Sequence, residues 1–364
     1  MKKTIFAFCG LAFISGINAG PIVNVEYIHD AIKQRWDITV PYNTELVDPG
    51  VAANMKYLLT TIDVVNEMLN SASITNYGDG DFATTVAADT VATNTAVETL
   101  ISPYYPFTVS TTDDATSFSF EIGASGTFYV DCGDDATPQV IAKRNIGKKP
   151  ITCNWSQPGT HTVRIGGRAT GYGTSATLAA ISFKENTVLA NIDGNLGSIF
   201  PTIKNTDDTL SQPHFYQTFN KCTNLIGTIP GGLFDGVYGA PAASMFSAVF
   251  AGCTGLTGEI PADLFANIYG TPAPNMFNSA FNGCSGLTGE IPADLFGEFS
   301  GLPANGMFSY VFANCSNLTG PAARNGDGQF LHDIWPDEGY GTGAYSGTNI
   351  TGLAYIPRSW GGKG

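Results

Sequence analysis

Positive charge is scarce in this sequence: 17 Lys and Arg stand against 31 Asp and Glu, and charged residues of both signs make up only 13% of the chain. Nucleic-acid affinity comes mainly from cations that displace counterions, so a nucleic-acid partner is excluded. Histidine is equally sparse, with His29, His161, His214 and His332 as the only four. None belongs to an HExxH pair, and the chain has no GxSxG elbow and no P-loop. Asp79 and Asp81 alternate in YGDGDF, but the twelve-residue calcium loop with its terminal Glu is missing. After the first 19 residues no stretch reaches the roughly 20 apolar residues of a membrane helix, so no membrane span is expected. Asp131 with Asp134 and Asp135 is the nearest approach to a hydrolytic carboxylate pair, and a solvated turn explains it as well. No catalytic residue, cofactor or metal is expected.

The opening MKKTIFAFCGLAFISGINAG has the charged, apolar and small-residue parts of a secretory signal peptide over 1–19, with cleavage after Ala19. Phe8 is too bulky to precede a lipid-attachment cysteine, so Cys9 reads as leader core. Loss of Lys2 and Lys3 leaves 17−2, or 15, cations and a formal charge of 15−31, or −16. A composition with 43 Gly and 20 Pro that is still 43% hydrophobic suits a loop-rich, packed chain of two or three units. Val51, Met55, Leu58, Ile62, Val65 and Leu69 recur at helical spacing, which predicts a small helical N-terminal unit over 20–73. The Thr-, Ala- and Asp-rich residues 74–105 read as a linker.

From Phe107 the period changes to two. SFSFEI puts Phe118, Phe120 and Ile122 on one face, and further short strands lie between Gly and Pro turns, which predicts a β-sandwich over 106–185. FYVDCGDD, with SQPGTHTVRI after it, resembles the two signature strands of PKD-like modules, with Asp135 in place of a Gly and His161 in place of a Tyr. The resemblance implies a spacer or carrier role on an extracellular protein. Cys132 and Cys153 flank those two strands in an exported chain, and a disulfide between them is expected. Lys143, Arg144, Lys148 and Lys149 form a cationic hairpin tip beside them.

Beyond Phe219 the chain repeats itself. GCTGLTGEIPADLF at 252–265 returns as GCSGLTGEIPADLF at 283–296. Cys222, Cys253, Cys284 and Cys315 are separated by 253−222, 284−253 and 315−284, each 31, and Phe219, Phe250, Phe281 and Phe312 keep the same step. Segments that are each too small to hide their apolar residues bury them by stacking. The unit F-x-x-C-x-x-L-x-G-x-I-P, with Met-Phe before it, resembles the BspA-like leucine-rich repeats of bacterial surface proteins, and LTGEIP is similar to the LTGxIP of plant-type repeats. That resemblance, with the fixed period, implies a leucine-rich-repeat solenoid over 186–364 that ends in a degenerate cap. The fold class expected is therefore α+β and modular: a small helical N-terminal unit, a β-sandwich, then a leucine-rich-repeat solenoid of 31-residue repeats.

Cysteines strung along such an array at about 4.8 Å intervals cannot converge on zinc, so the ladder reads as buried thiols. If a strand begins at Leu256, alternation turns Thr257 and Glu259 outward, beside Thr288 and Glu290 of the next repeat and Ile226 and Thr228 of the one before. These six residues are the candidate binding stripe, with Tyr238, Tyr269 and Phe299 as aromatic contacts at its edge. The functional expectation is a secreted bacterial protein that binds a protein or glycan at a cell surface, with adhesion as its role. A structural envelope or matrix component is the alternative, and a glycan-acting hydrolase that uses its repeats for targeting is a third.

Overall fold

The computed structural model describes residues 105–133, 139–143, 145–293 and 295–364. The expected signal peptide, the expected helical unit and all of the expected linker but Tyr105 lie outside the described residues. Residues Tyr105–Gly364 form one compact unit.

Alternating apolar residues build two antiparallel sheets. Strands β1 (Phe107–Thr111), β3 (Ser125–Asp131), β4 (Gln139–Lys143), β6 (Thr162–Gly171) and β8 (Leu189–Gly194) form a five-stranded sheet in the order β4-β3-β6-β1-β8. β2 (Ala115–Ile122), β5 (Lys149–Gly159) and β7 (Ile181–Ser182) form a second sheet in the order β5-β2-β7. Phe107 and Val109 of β1, Phe118, Phe120 and Ile122 of β2, and Val163 and Ile165 of β6 are all buried. The Cys132–Cys153 disulfide joins the end of β3 to β5 across a sequence separation of 21 residues.

The expected α+β class, with its leucine-rich-repeat solenoid, is corrected by the residues beyond the sandwich. Among the described residues strand predominates, and α-helix is confined to α1 (Leu331–Ile334) and α2 (Glu338–Gly341), four residues each. Among the described residues no strand recurs in every repeat. The parallel ladder is limited to β11 (Gly289–Glu290) against β12 (Leu318–Thr319), with isolated bridges elsewhere, and β9 (Ile203–Lys204) and β10 (Leu210–Ser211) make a small antiparallel hairpin. The reason is local. Gly258 and Gly289 take φ of +76° and +80°, so each LTGEIP segment leaves extended backbone in its middle and its parallel pairing spans two residues at most.

The repeats instead pack as chains of tight turns. In the segment 244–253, alternate amides reach the next repeat: Phe246 N–H donates to Met276 O at 2.8 Å, Ala248 to Asn278 O at 2.8 Å and Phe250 to Ala280 O at 2.9 Å. The amides between them close turns three residues back, Val249 to Phe246 O at 3.2 Å and Cys253 to Phe250 O at 3.0 Å. Ser244, Ala248 and Gly252 therefore sit at positive φ every fourth residue, and Asn275, Ser279 and Gly283 repeat the pattern. Met245, Phe246, Val249, Phe250 and Cys253 all point inward as a result.

Those inward rings form columns. Phe183, Phe219, Phe250, Phe281, Phe312 and Tyr345 stack in series with centroid spacings of 5.4, 5.3, 5.7, 5.6 and 6.2 Å. Phe215, Phe246, Phe277 and Phe308 make a second column that ends on Trp335. Phe183 also packs on Phe107, Phe118 and Phe120, so the sandwich and the repeats share one core. β8, which lies beyond residue 185, belongs to the five-stranded sheet, and Ala190 O accepts from Ile226 N–H of the first repeat at 2.9 Å.

Candidate functional site

The candidate stripe is set by what lies beneath it. Leu225, Leu256 and Leu287 are buried on one side of each exposed segment, and Ile229, Ile260 and Ile291 on the other. Ile226, Thr228, Thr257, Glu259, Thr288 and Glu290 between them are all exposed. Backbone bonds fix the register: Thr257 N–H donates to Gly227 O at 2.7 Å and Thr288 N–H to Gly258 O at 2.8 Å. The Thr257 hydroxyl also donates to Gly227 O, at 3.3 Å. Two rows result. Ile226, Thr257 and Thr288 make one, and Thr228, Glu259 and Glu290 the other, each residue of the second row lying over the glycine of the next repeat. A Cβ added at Gly289 would stand 2.7 Å from Glu259 Cγ, which is why that position has no side chain.

The threonine row extends beyond the six candidate residues. Thr319 donates its hydroxyl to Gly289 O at 3.2 Å, and Thr351 N–H bonds Gly320 O at 2.6 Å. Thr319 is one 31-residue step beyond Thr288, a signal present in the sequence, whereas Thr351 is 32 residues further on and escapes a strict period. Among the described residues no ion pair joins Glu259 or Glu290, so both carboxylates face solvent with their charge uncompensated.

At the stripe's edge Tyr238 and Tyr269 are exposed, at 39% and 51%. Phe299 is not available with them. Its ring is half-buried at 6.2 Å from both Phe277 and Phe308, and the exposed side chain nearby is Leu302. The 31-residue step is unbroken here: Phe299 is the equivalent of Ile268, which is buried, and Ser300 stands where the previous repeat has Tyr269.

The other sequence candidates are occupied locally. Lys143 donates to Ile122 O at 2.8 Å and to Gly147 O, and burial, with Lys149 nearby, lowers its pKa. Lys148 pairs with Glu121 at 3.5 Å. Asp131 accepts from Arg164 at 2.9 Å and from Gly133 N–H, while Asp134, Asp135 and Arg144 lie outside the described residues. Each ladder thiol donates to a phenylalanine carbonyl of the preceding layer: Cys222 to Phe183, Cys253 to Phe219, Cys284 to Phe250 and Cys315 to Phe281, at 2.9–3.1 Å. Burial pushes Cys222 and Cys315 up to about 12, and Cys253 and Cys284 well above the ordinary thiol range. Such thiols are neither nucleophiles nor ready ligands. Among the described residues no three His, Cys, Asp or Glu side chains converge on a metal-sized point.

His161 stacks on Trp155 with ring centroids 3.9 Å apart. His214 is buried, which lowers its pKa, and a backbone hydrogen bond with Ala243 works in the opposite direction. His332 lies in the C-terminal cap beneath Tyr345 and Trp360. What the arrangement offers chemically is an ordered polar-acidic surface, without a convergent acid, base and nucleophile among the described residues. Comparison of the chain with protein-family models, curated proteins and solved structures finds no match in any of the three.

Proposed function

We propose that this chain is a secreted bacterial surface protein that works by binding, and that its repeat stack presents the Thr and Glu rows to a protein or glycan at a cell surface. The observation that carries this reading is the fixed register of those rows. Thr257 and Thr288 are each tied to the previous repeat through a backbone carbonyl, so the backbone positions that carry the hydroxyls and carboxylates are held in a regular array before any ligand arrives. A preformed array loses little conformational entropy on binding, which favours recognition of an extended, repetitive partner. The resemblance of the repeat words to BspA-like surface proteins and the leader-like first 19 residues support the extracellular setting. Glu259 and Glu290 lie in one row, on the same side of the stripe, which suits contact with a ligand laid along it better than a bond held between two opposed carboxylates.

The test is a protein and glycan array probed with the mature chain, paired with a reducing-end assay on every glycan retained. Retention of a defined set of glycans or surface proteins without cleavage is expected. Release of reducing ends would overturn the reading in favour of a hydrolase. Retention no greater than that of an unrelated protein of equal negative charge would favour a purely structural component.

A further inference from the structure

The C-terminal cap contains a cluster of buried polar atoms that the binding surface does not use. His332 on α1 is 5% exposed, and its Nδ1 is buried without a hydrogen-bond partner. Its ring is packed against Phe330 at 5.3 Å, Trp360 at 6.2 Å and Tyr345 at 6.3 Å. Trp360 Nε1 and Arg324 Nε are likewise buried without partners. These rings close the end of the stack: Tyr345 N–H donates to Trp360 O at 2.9 Å and Gly343 N–H to Ser359 O at 2.6 Å. We propose that the cap is an acid-released latch, held shut while His332 is neutral and driven open when that ring is protonated.

The charged group that meets the ring favours protonation, so burial decides the direction. On its own element Asp333 approaches Nε2 at 3.7 Å, but that carboxylate is 69% exposed and its attraction is screened by water. From the adjoining segments come cations: Arg324, whose backbone bridges Phe330, and Arg358 at the start of the turn that carries Trp360. The Tyr345 hydroxyl accepts from Ala323 N–H and stays neutral. Protonation at Nδ1 would create a charged donor with no acceptor in a dry, ring-lined site. Phe330, stacked on the ring at 5.3 Å, offers a face for cation–π attraction that offsets part of this cost, whereas Tyr345 meets His332 edge to face at 6.3 Å.

Burial accordingly lowers the His332 pKa, with Asp333 raising it in part. The folded value lies below the unfolded one of about 6.5. The latch therefore contributes fully above that pH and weakens as pH falls below it toward the folded value. α1 and α2 have four residues each and neither carries a side-chain N-cap bond, so the segment is held by its packing on the stack, where Phe308, Tyr310 and Phe312 N–H donate to Tyr340, Thr342 and Ala344 O. Opening would uncover the Tyr345 and Trp360 rings, an apolar stack end, in acidic surroundings.

The test is amide hydrogen exchange of the full mature chain at pH 7.5 and 5.5, corrected for the intrinsic pH dependence of exchange. Peptides spanning 338–362 should open up to about tenfold more often at the lower pH, one pH unit below the unfolded pKa, while 244–290 stay unchanged. His332→Phe keeps the ring packing and removes the proton site, so the acid response should vanish. His332→Gln serves the same purpose if the Phe variant does not fold. Equal corrected exchange at both pH values, or an undiminished response in the variants, would overturn the latch.

Discussion

Removal of one ring from the middle of the aromatic column probes the shared core directly. Phe250 is fully buried, stacked on Phe219 at 5.3 Å and on Phe281 at 5.7 Å, and its carbonyl accepts the Cys284 thiol. Phe250→Ala removes the ring's transfer free energy and leaves a cavity that neighbouring repeats, held by backbone bonds on both sides, cannot close. Such changes cost about 3–5 kcal/mol, and the two stacked pairs place this site toward the upper end. The column runs through Phe219 and Phe183 to Phe107 of the sandwich, so the loss should be felt by both parts of the unit. Guanidinium unfolding followed by pulsed hydrogen exchange, with peptides from the sandwich strands β2 and β3 and from the repeat segment 277–291, reads the two parts separately. Both midpoints should fall together. A sandwich signal that keeps the parent midpoint while the repeat signal falls would refute the shared core, and a loss below about 1 kcal/mol would refute the packing assignment.

The ladder thiols should be silent to Ellman's reagent in the native mature chain at pH 8, and four should react after denaturation without reductant, with six excluding the Cys132–Cys153 bond. Cys132→Ser with Cys153→Ser should lower stability by about 3 kcal/mol on the chain-entropy argument for a 21-residue separation, and an unchanged melting temperature would contradict it. Gly283→Ala has room for its methyl, with Gly252 backbone atoms nearest at 3.7 Å, yet φ is +79°. A cost of about 1–2 kcal/mol from the left-handed backbone alone is expected, and a denaturation midpoint equal to the parent's would remove that account.

Parts of this arrangement are written in the sequence, and others need the third dimension. A fixed 31-residue step marks which residues recur, and the inward Leu256 and Ile260 with outward Thr257 and Glu259 follow from alternation. Periodicity does not report backbone dihedrals, however. A glycine inside L-T-G-E can continue an extended strand or turn the backbone to positive φ, and here the second outcome cuts the expected solenoid strands to two residues or a single bridge. The union of sandwich and stack is hidden for a different reason. Phe183 precedes Phe219 by 36 residues instead of 31, so it falls out of register in sequence although it stands in line in space. The local sequence of His332, HDIWPDE, reads as a solvated cap loop beside Asp333 and Asp337, because the burial of the ring depends on Tyr345 and Trp360 arriving from later in the chain.

The most direct test of the binding face replaces Thr257, Glu259, Thr288 and Glu290 together by Ala and compares the variant's Kd with the parent's for a partner retained on the array. Exposed substitutions usually change stability by less than about 0.5 kcal/mol each, so the variant should melt close to the parent. The account predicts that it binds at least about tenfold more weakly, a loss of about 1.4 kcal/mol. A folded variant with the parent's affinity would contradict it and move the binding surface to the exposed edge at Tyr238, Tyr269 and Leu302.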